Sequence, residues 1–245
     1  MNDFNKLQEA YDLSNTKPDK VYSILPTTLL LLQPIERKRI LDAGCGSGFF
    51  TEKIARWNPS IVYGVDNRRK SLEKAKTNTS KGVVYQLKDI FKEKLPRVEE
   101  ICAPFVINYA ETQAMLAQLF NNFHTCLEGG RLVGVIDLPD NSKDLTLTAK
   151  RRTWGAIKKV RGRLKDGAEI KISLYNNQRE ICSLLSTYWS KSTIEKTLIN
   201  AGFTDIKWFK PVIDREGLDK FGEEFWEKYE DYCELGYFTA EKSNS

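Results

Sequence analysis

Histidine is almost missing: the 245 residues hold a single one, His124. That excludes a His-rich metal centre, and any nucleophile–histidine relay that does not use this residue. His124 stands in "NNFHTCLEGG", near the end of a helical pattern, where a packing or capping role is expected. The five cysteines, Cys45, Cys102, Cys126, Cys182 and Cys233, are odd in number and scattered, with no C-x-x-C pair. Zinc sites and disulfide frameworks are therefore not expected, and a reducing compartment is. The sequence predicts a cytoplasmic protein without a bound metal. Long apolar runs are missing too. The greasiest, "ILPTTLLLLQP", falls well short of the ~20 residues that span a bilayer and reads as a buried helix. The opening residues show no basic stretch followed by an apolar one, so no leader and no membrane association are expected. Charge is nearly balanced, and a net +5 does not by itself demand a nucleic-acid partner.

What is present is enough apolar material, 41% of residues, for one large domain or a domain with a cap. Residues 5–13 and 19–33 read as helices. An alternation follows: strand 39–43, helix 48–57, strand 61–66, helix 69–78, strand 83–89, strand 99–106, helix 112–127 and strand 129–138. Strands alternating with helices predict a parallel sheet covered on both faces. After 138 the rhythm breaks. Residues 139–153 read as a polar loop, and "GAIKKVRGRLKDGAEIKISLYN" as a hairpin turning at Asp166-Gly167. A helix over 190–203, capped by Ser190 or Ser192 and stopped by Gly202, resumes the pattern. "TDIKWF" and "LGYFTAEK" read as closing strands around an amphipathic helix, 216–232. The predicted domains are an N-terminal helical cap (1–36), a core (37–138), a cap insertion with a hairpin (139–189) and a completion of the core sheet (190–245).

Within this alternation, "LDAGCGSGFF" ends a strand in Asp42 and then places Gly44, Gly46 and Gly48 before a helix. Dinucleotide sites use G-x-G-x-x-G; here the third glycine comes one residue early, and Phe49-Phe50 occupy the helix start where a pyrophosphate wants open N–H groups. Asp66 closes the next strand, where one carboxylate can take both hydroxyls of a ribose. Asp89 closes the third, level with an adenine amino group. A ribose clamp, an adenine partner and a glycine loop without a phosphate site describe an adenosine without phosphates.

"ILDAGCGSGFF", "VYGVDNR" and "LKDIF" resemble the class I S-adenosylmethionine-dependent methyltransferases, across residues 38–137. "APFVINYAET", "LEGGRLVGVIDLP", "YWSKSTIEKTLINAGFTDIKW" and "EFWEKY" extend the likeness to the small-molecule enzymes grouped with the toxoflavin-biosynthesis N-methyltransferase. The resemblance implies a Rossmann-like, doubly wound, mostly parallel seven-stranded α/β sheet, with a small α/β cap from the N-terminal helices and the insertion after the fifth strand. It implies S-adenosyl-L-methionine as cofactor. Asp42 and the backbone of Gly44, Cys45, Gly46 and Gly48 would cradle the methionine part. Asp66 would hold the ribose with Asn67 beside it, and Asp89 and the Ile90 N–H would address adenine. The Ala103 carbonyl would receive the methionine ammonium, and Tyr11 would close over the site. Glu99-Glu100 stand where Phe-Asp is usual before the fourth strand.

A sulfonium methyl is already activated, so the protein must bring a nucleophile in line and exclude water; no strong base is obligatory. Tyr109, after the fourth strand, is the candidate to orient the acceptor. Tyr22, Trp154, Tyr188 and Trp189 are candidate aromatic walls for a flat, small organic molecule. Each is also an ordinary packing residue. Between 140 and 180 there are eleven Lys/Arg against five acids. This basic stretch reads first as a solvated hairpin face and second as a docking surface for an anionic substrate, a carrier protein or RNA. A small-molecule N- or O-methyltransferase therefore leads. A nucleic-acid methyltransferase ranks second: "PFVINYA" lacks the Asn/Asp-Pro-Pro-aromatic run of base-amino methylation, and Cys102 precedes Pro104 inside a strand. A non-catalytic cofactor-binding partner subunit is the third reading, and oligomerisation is left open.

Overall fold

The computed structural model describes residues 4–140 and 143–243. In chain order, helices α1 (Phe4–Leu13) and α2 (Leu25–Leu32) precede strand β1 (Arg39–Ala43). Next come α3 (Phe49–Ile54), β2 (Ile61–Asp66), α4 (Arg69–Ala75), β3 (Val83–Leu87), β4 (Val98–Pro104), α5 (Gln113–Cys126) and β5 (Leu127–Asp137). The second half holds α6 (Leu145–Trp154), β6 (Ala156–Val160), β7 (Glu169–Asn176), β8 (Arg179–Thr187), α7 (Lys191–Asn200), β9 (Thr204–Phe209) and β10 (Leu235–Lys242). Three short helices, Arg215–Phe221, Glu223–Trp226 and Tyr229–Tyr232, lie between β9 and β10. The chain divides into two compact units, one built on residues 28–136, 191–208 and the stretch from Tyr237, the other on 137–190, 209–236 and the segment up to Thr27.

The first unit is a seven-stranded sheet in the order β3-β2-β1-β4-β5-β10-β9. The pairs β1/β2, β2/β3, β1/β4 and β4/β5 are parallel. Central strands covered on both faces must be apolar throughout, and Leu41, Val62, Ile101 and Val133 are completely buried. The strand order runs outward from β1 to β3 and then returns to β4. Right-handed crossovers place the helices before and after that return on opposite faces, which in open sheets of this kind makes the carboxyl ends of β1 and β4 the place where a ligand crevice is expected. Helix α5 is capped by Thr112, which accepts from the Met115 N–H at 3.2 Å, and buries Leu116, Leu119, Phe120 and Phe123 at helical spacing. His124 packs edge-on against Phe203 at 5.2 Å, and burial lowers its pKa, so it serves the core as a neutral ring.

The second unit carries the antiparallel sheet β6-β7-β8. Ile170, Ile172, Leu174, Cys182 and Leu184 form its apolar cluster, against which Ala10 and Tyr11 of α1 pack. A second cluster gathers Tyr22, Trp154, Trp226 and Tyr229. Charges are buried here as well, each with a partner: Lys158 Nζ reaches Asp137 at 3.1 Å and the Glu234 carbonyl at 2.7 Å, while Arg151 bridges Asp140 and Glu234.

Three elements differ from the sequence expectation. Residues 139–153 are not all loop: Asp144 accepts from the Thr146 and Leu147 N–H groups and starts α6. β6 and β7 form the expected hairpin, and Asp166-Gly167 make a tight turn closed by the Ala168 N–H on the Lys165 carbonyl at 3.0 Å, but that turn lies within a longer connection, 161–168, and a second hairpin, β7–β8, turns at Asn177-Gln178. The expected helix 216–232 is broken into three by positive φ at Gly222 and Lys228. Residues 209–236 group with α1 and α6 in one compact unit. No helix among the described residues is long and apolar enough to cross a membrane.

Candidate active site

The glycine loop begins where β1 ends. The Gly44 and Cys45 N–H groups both donate to the Val65 carbonyl, at 2.8 and 3.0 Å, which ties the loop to the end of β2. Gly44 has φ +71, and a Cβ there would lie 2.8 Å from Cγ2 of Val106, just after β4; at Gly48, φ +87, it would overlap the Tyr85 hydroxyl. Both positions therefore require glycine for close approach as well as for φ. Gly46 differs. A Cβ at this position would meet nothing within 4 Å, so the middle of the loop faces open space.

Two buried carboxylates border the loop. Asp42, 1% exposed, accepts from Thr51 Oγ1 at 2.5 Å. Asp66, 3% exposed, accepts from the Gly46 N–H at 2.9 Å and from the Arg68 N–H at 2.9 Å. The Arg68 guanidinium adds bonds of 3.2 and 3.4 Å to its two oxygens. Asp66 thus shapes the loop as well as facing it. Asn67, the next residue, is exposed. Asp89, beyond the end of β3, accepts from the Phe91 N–H at 2.9 Å and pairs with Lys92 at 3.5 Å. The adjacent Ile90 is buried, its carbonyl held by Asn122 at 2.7 Å. Ala103, fully buried near the end of β4, is opposite Gly134 of β5. Phe105 follows at φ +63, its N–H on the Val135 carbonyl at 2.7 Å. Tyr109 is half-buried and closes a single 3-10 turn, Ile107–Tyr109.

Cys45 and Cys102 are buried, and desolvation together with the Asp42 charge pushes both thiols well up; Asp66 adds to the effect at Cys45. Neither is a thiolate nucleophile. Among the described residues no group of three or more His, Cys, Asp or Glu side chains is placed to hold a metal.

The remaining sequence candidates belong to the other unit. Tyr11 packs on the small sheet, with Lys20 Nζ 5.6 Å from its ring centroid. Tyr22 accepts from Lys220 at 2.8 Å, and Trp154, 2% exposed, donates to the Phe225 carbonyl at 2.7 Å. Both serve the aromatic core. Tyr188 lies half-buried on the apolar cluster of the sheet, and Trp189 is buried. Sequence reasoning missed Thr51 and Arg68. Their only signal is position, nine residues after Asp42 and two after Asp66.

A doubly wound sheet with its acids at strand ends beside a glycine loop defines the Rossmann-like fold of class I methyltransferases. A family model for the methyltransferase domain matches residues 36–159, half of the chain, and the chain belongs to that family. A search of curated proteins returned no match. Similar solved structures share the fold at low identity. One is a putative S-adenosylmethionine-dependent methyltransferase from Listeria monocytogenes, 18% identical, with a TM-score of 0.60 over 88% of this chain and 95% of that one. Another, from Clostridium acetobutylicum, is 15% identical, with a TM-score of 0.63 over 99% and 100%. A third is the putative methyltransferase of Haloferax volcanii in complex with the Trm112 activator, 10% identical, with a TM-score of 0.64 over 99% of both chains.

Proposed function

We propose that this chain uses S-adenosylmethionine to methylate an N or O atom of a small organic acceptor. One arrangement carries the reading: Asp42, Asp66 and Asp89 end or follow three adjacent strands beside a glycine loop whose middle faces open space. The donor and acceptor chemistry fits that cofactor. Asp66 offers carboxylate oxygens to two ribose hydroxyls when the Arg68 guanidinium gives up its bonds of 3.2 and 3.4 Å to them, and Asp89 keeps acceptor capacity beyond its two partners for an adenine amino group. No Lys or Arg lies between Asp42 and Thr51, and Phe49-Phe50 open α3, so nothing there suits phosphates.

When bound, the cofactor supplies a methyl group on a positively charged sulfur. The protein's part is to hold an acceptor in line with that methyl and to keep water away. The Ala103 carbonyl and Asp42 are assigned to the ammonium and methionine parts. Tyr109 is assigned to orienting the acceptor, from a turn that the Val106 carbonyl fixes at 3.1 Å. The test joins calorimetric titration with S-adenosylhomocysteine to transfer of labelled methyl onto a panel of small amines and phenols. Binding with transfer to at least one acceptor is expected. Absence of S-adenosylhomocysteine binding overturns the cofactor assignment, and binding with transfer to none overturns the acceptor class.

A further inference from the structure

The basic stretch reads differently once its acids are placed. Of the five acids between 140 and 180, three are spent away from the stripe of exposed cations that runs through β6, the following loop and β7. Asp140 pairs with Arg151 at 2.6 Å. Asp144 caps α6. Asp166 accepts from the Ser190 N–H and hydroxyl, at 2.6 and 3.1 Å, before α7. Glu180 accepts from Ser183 at 2.6 Å and from Tyr175 at 3.3 Å, with Lys171 attracting it only from a distance. Glu180 thus stays on this face, opposite Tyr175 across the β7–β8 ladder, and Glu169 answers the stripe directly, pairing with Arg161 at 2.9 Å.

Lys159, Arg163, Lys165 and Lys171 are exposed, and none of them makes an ion pair among the described residues. Lys159 and Lys171 also stand directly opposite each other across the β6–β7 ladder. Like charges in that relation destabilise a sheet. A merely solvated edge does not need them facing each other. From Lys159 to Lys165 every second residue is basic, a linear array of the kind that matches a regular polyanion rather than the irregular carboxylates of a protein surface. On β7, Tyr175 lies four residues from Lys171 and so on the same face. The Arg152 guanidinium lies 5.3 Å from the centroid of its ring. Planar groups among cations suit unstacked bases.

We propose that this face of the small sheet binds single-stranded RNA, with Lys159, Arg161, Arg163, Lys165 and Lys171 on phosphates and Tyr175 with Arg152 as a stacking platform. This goes beyond methyl transfer and does not depend on the acceptor.

The test is fluorescence anisotropy of the full chain with a labelled oligouridylate, against an RNA duplex of equal length and against polyglutamate. Five phosphate contacts on a single strand predict a salt slope of about −3.5, hence roughly 100-fold weaker binding at 200 than at 50 mM salt. The Lys159→Ser/Lys171→Ser pair should weaken binding more than tenfold and flatten the slope by about 1.4. Tyr175→Ala should weaken it about tenfold while Tyr175→Phe does not. Melting curves of each variant separate lost contacts from lost folding. Three outcomes overturn the proposal: no oligouridylate binding at 50 mM salt, unchanged binding by the folded lysine double variant, or polyglutamate or duplex binding as tightly. Equal polyglutamate binding assigns the face to an acidic protein instead.

Discussion

A carboxylate that organises its own loop is harder to replace than one that only touches a ligand, and Asp66 holds its loop through the Gly46 N–H and Arg68. Removing it should cost S-adenosylhomocysteine about 2–4 kcal/mol, roughly 30- to 900-fold in Kd. A calorimetric Kd for Asp66→Ala within threefold of wild type would falsify the ribose assignment. The glycines and strand-end acids were legible in the sequence because positive φ and a strand terminus restrict residue choice so strongly. Thr51 and Arg68 were not, because their partners depend on how the turn after each strand folds. Gly48→Ala should lose about 1–2 kcal/mol for a left-handed Cβ, with a further loss from overlap with Tyr85. Adding Tyr85→Phe should return only that second part, which urea midpoints of the two single variants and the double variant can resolve. Glu100, 1% exposed, titrates abnormally for a different reason. Burial raises its pKa against the opposing pull of Lys38 and Arg131. As pH rises past 4.5 the unfolded chain gives up this proton first, so wild type loses stability until the raised folded pKa is passed. Glu100→Gln cannot titrate and should gain on wild type in urea unfolding from pH 4 to 7. The opposite trend would show that the two cations outweigh burial.

At the scale of elements, the βα alternation was readable because β1 and β2 are short apolar runs closed by an acid at or next to the last residue, and both fall where the sequence put them. The region after Asp137 was not. Helix α6 buries Leu147, Arg151 and Trp154; an arginine on the inner face disguises the period, and it is tolerated only because Asp140 and Glu234 meet it. The second hairpin, β7–β8, was not legible because its turn residues, Asn177 and Gln178, adopt φ of +46 and +64 without a glycine, unlike Asp166-Gly167 between β6 and β7. Gln178 is therefore strained. Gln178→Gly should relieve about 1–2 kcal/mol of left-handed strain, less the 0.5–1 kcal/mol of chain entropy that glycine adds. The expected net gain, about 0.5–1 kcal/mol, is measurable as a higher urea midpoint at unchanged slope. A loss would mean that the side chain of Gln178 supports the turn.

On the scale of the whole molecule, the chain passes between its two units five times, after Thr27, Ile136, Ser190, Trp208 and Gly236. Each unit is thus assembled from three separate segments, and the segment 28–136 that holds the glycine loop and all three acids is not a complete sheet. It lacks β9, β10 and α7, so in isolation β5 becomes an open edge carrying Leu132, Val133, Val135 and Ile136. Such an edge pairs with other chains. The fragment 28–136 should therefore aggregate and fail to bind S-adenosylhomocysteine, although it contains every residue assigned to adenosine. The full chain should respond by mass action. At 100 times its Kd the ligand contributes about 2.7 kcal/mol, which for a chain of this length raises Tm by roughly 5–11 °C. Asp66→Ala at the same ligand concentration should gain at most about 0.9 kcal/mol, a rise of no more than roughly 3 °C. Scanning calorimetry on wild type, variant and fragment separates the possibilities. A soluble fragment that binds with full affinity would show that the distant segments are dispensable to the site, and an unshifted wild-type Tm would remove the cofactor assignment itself.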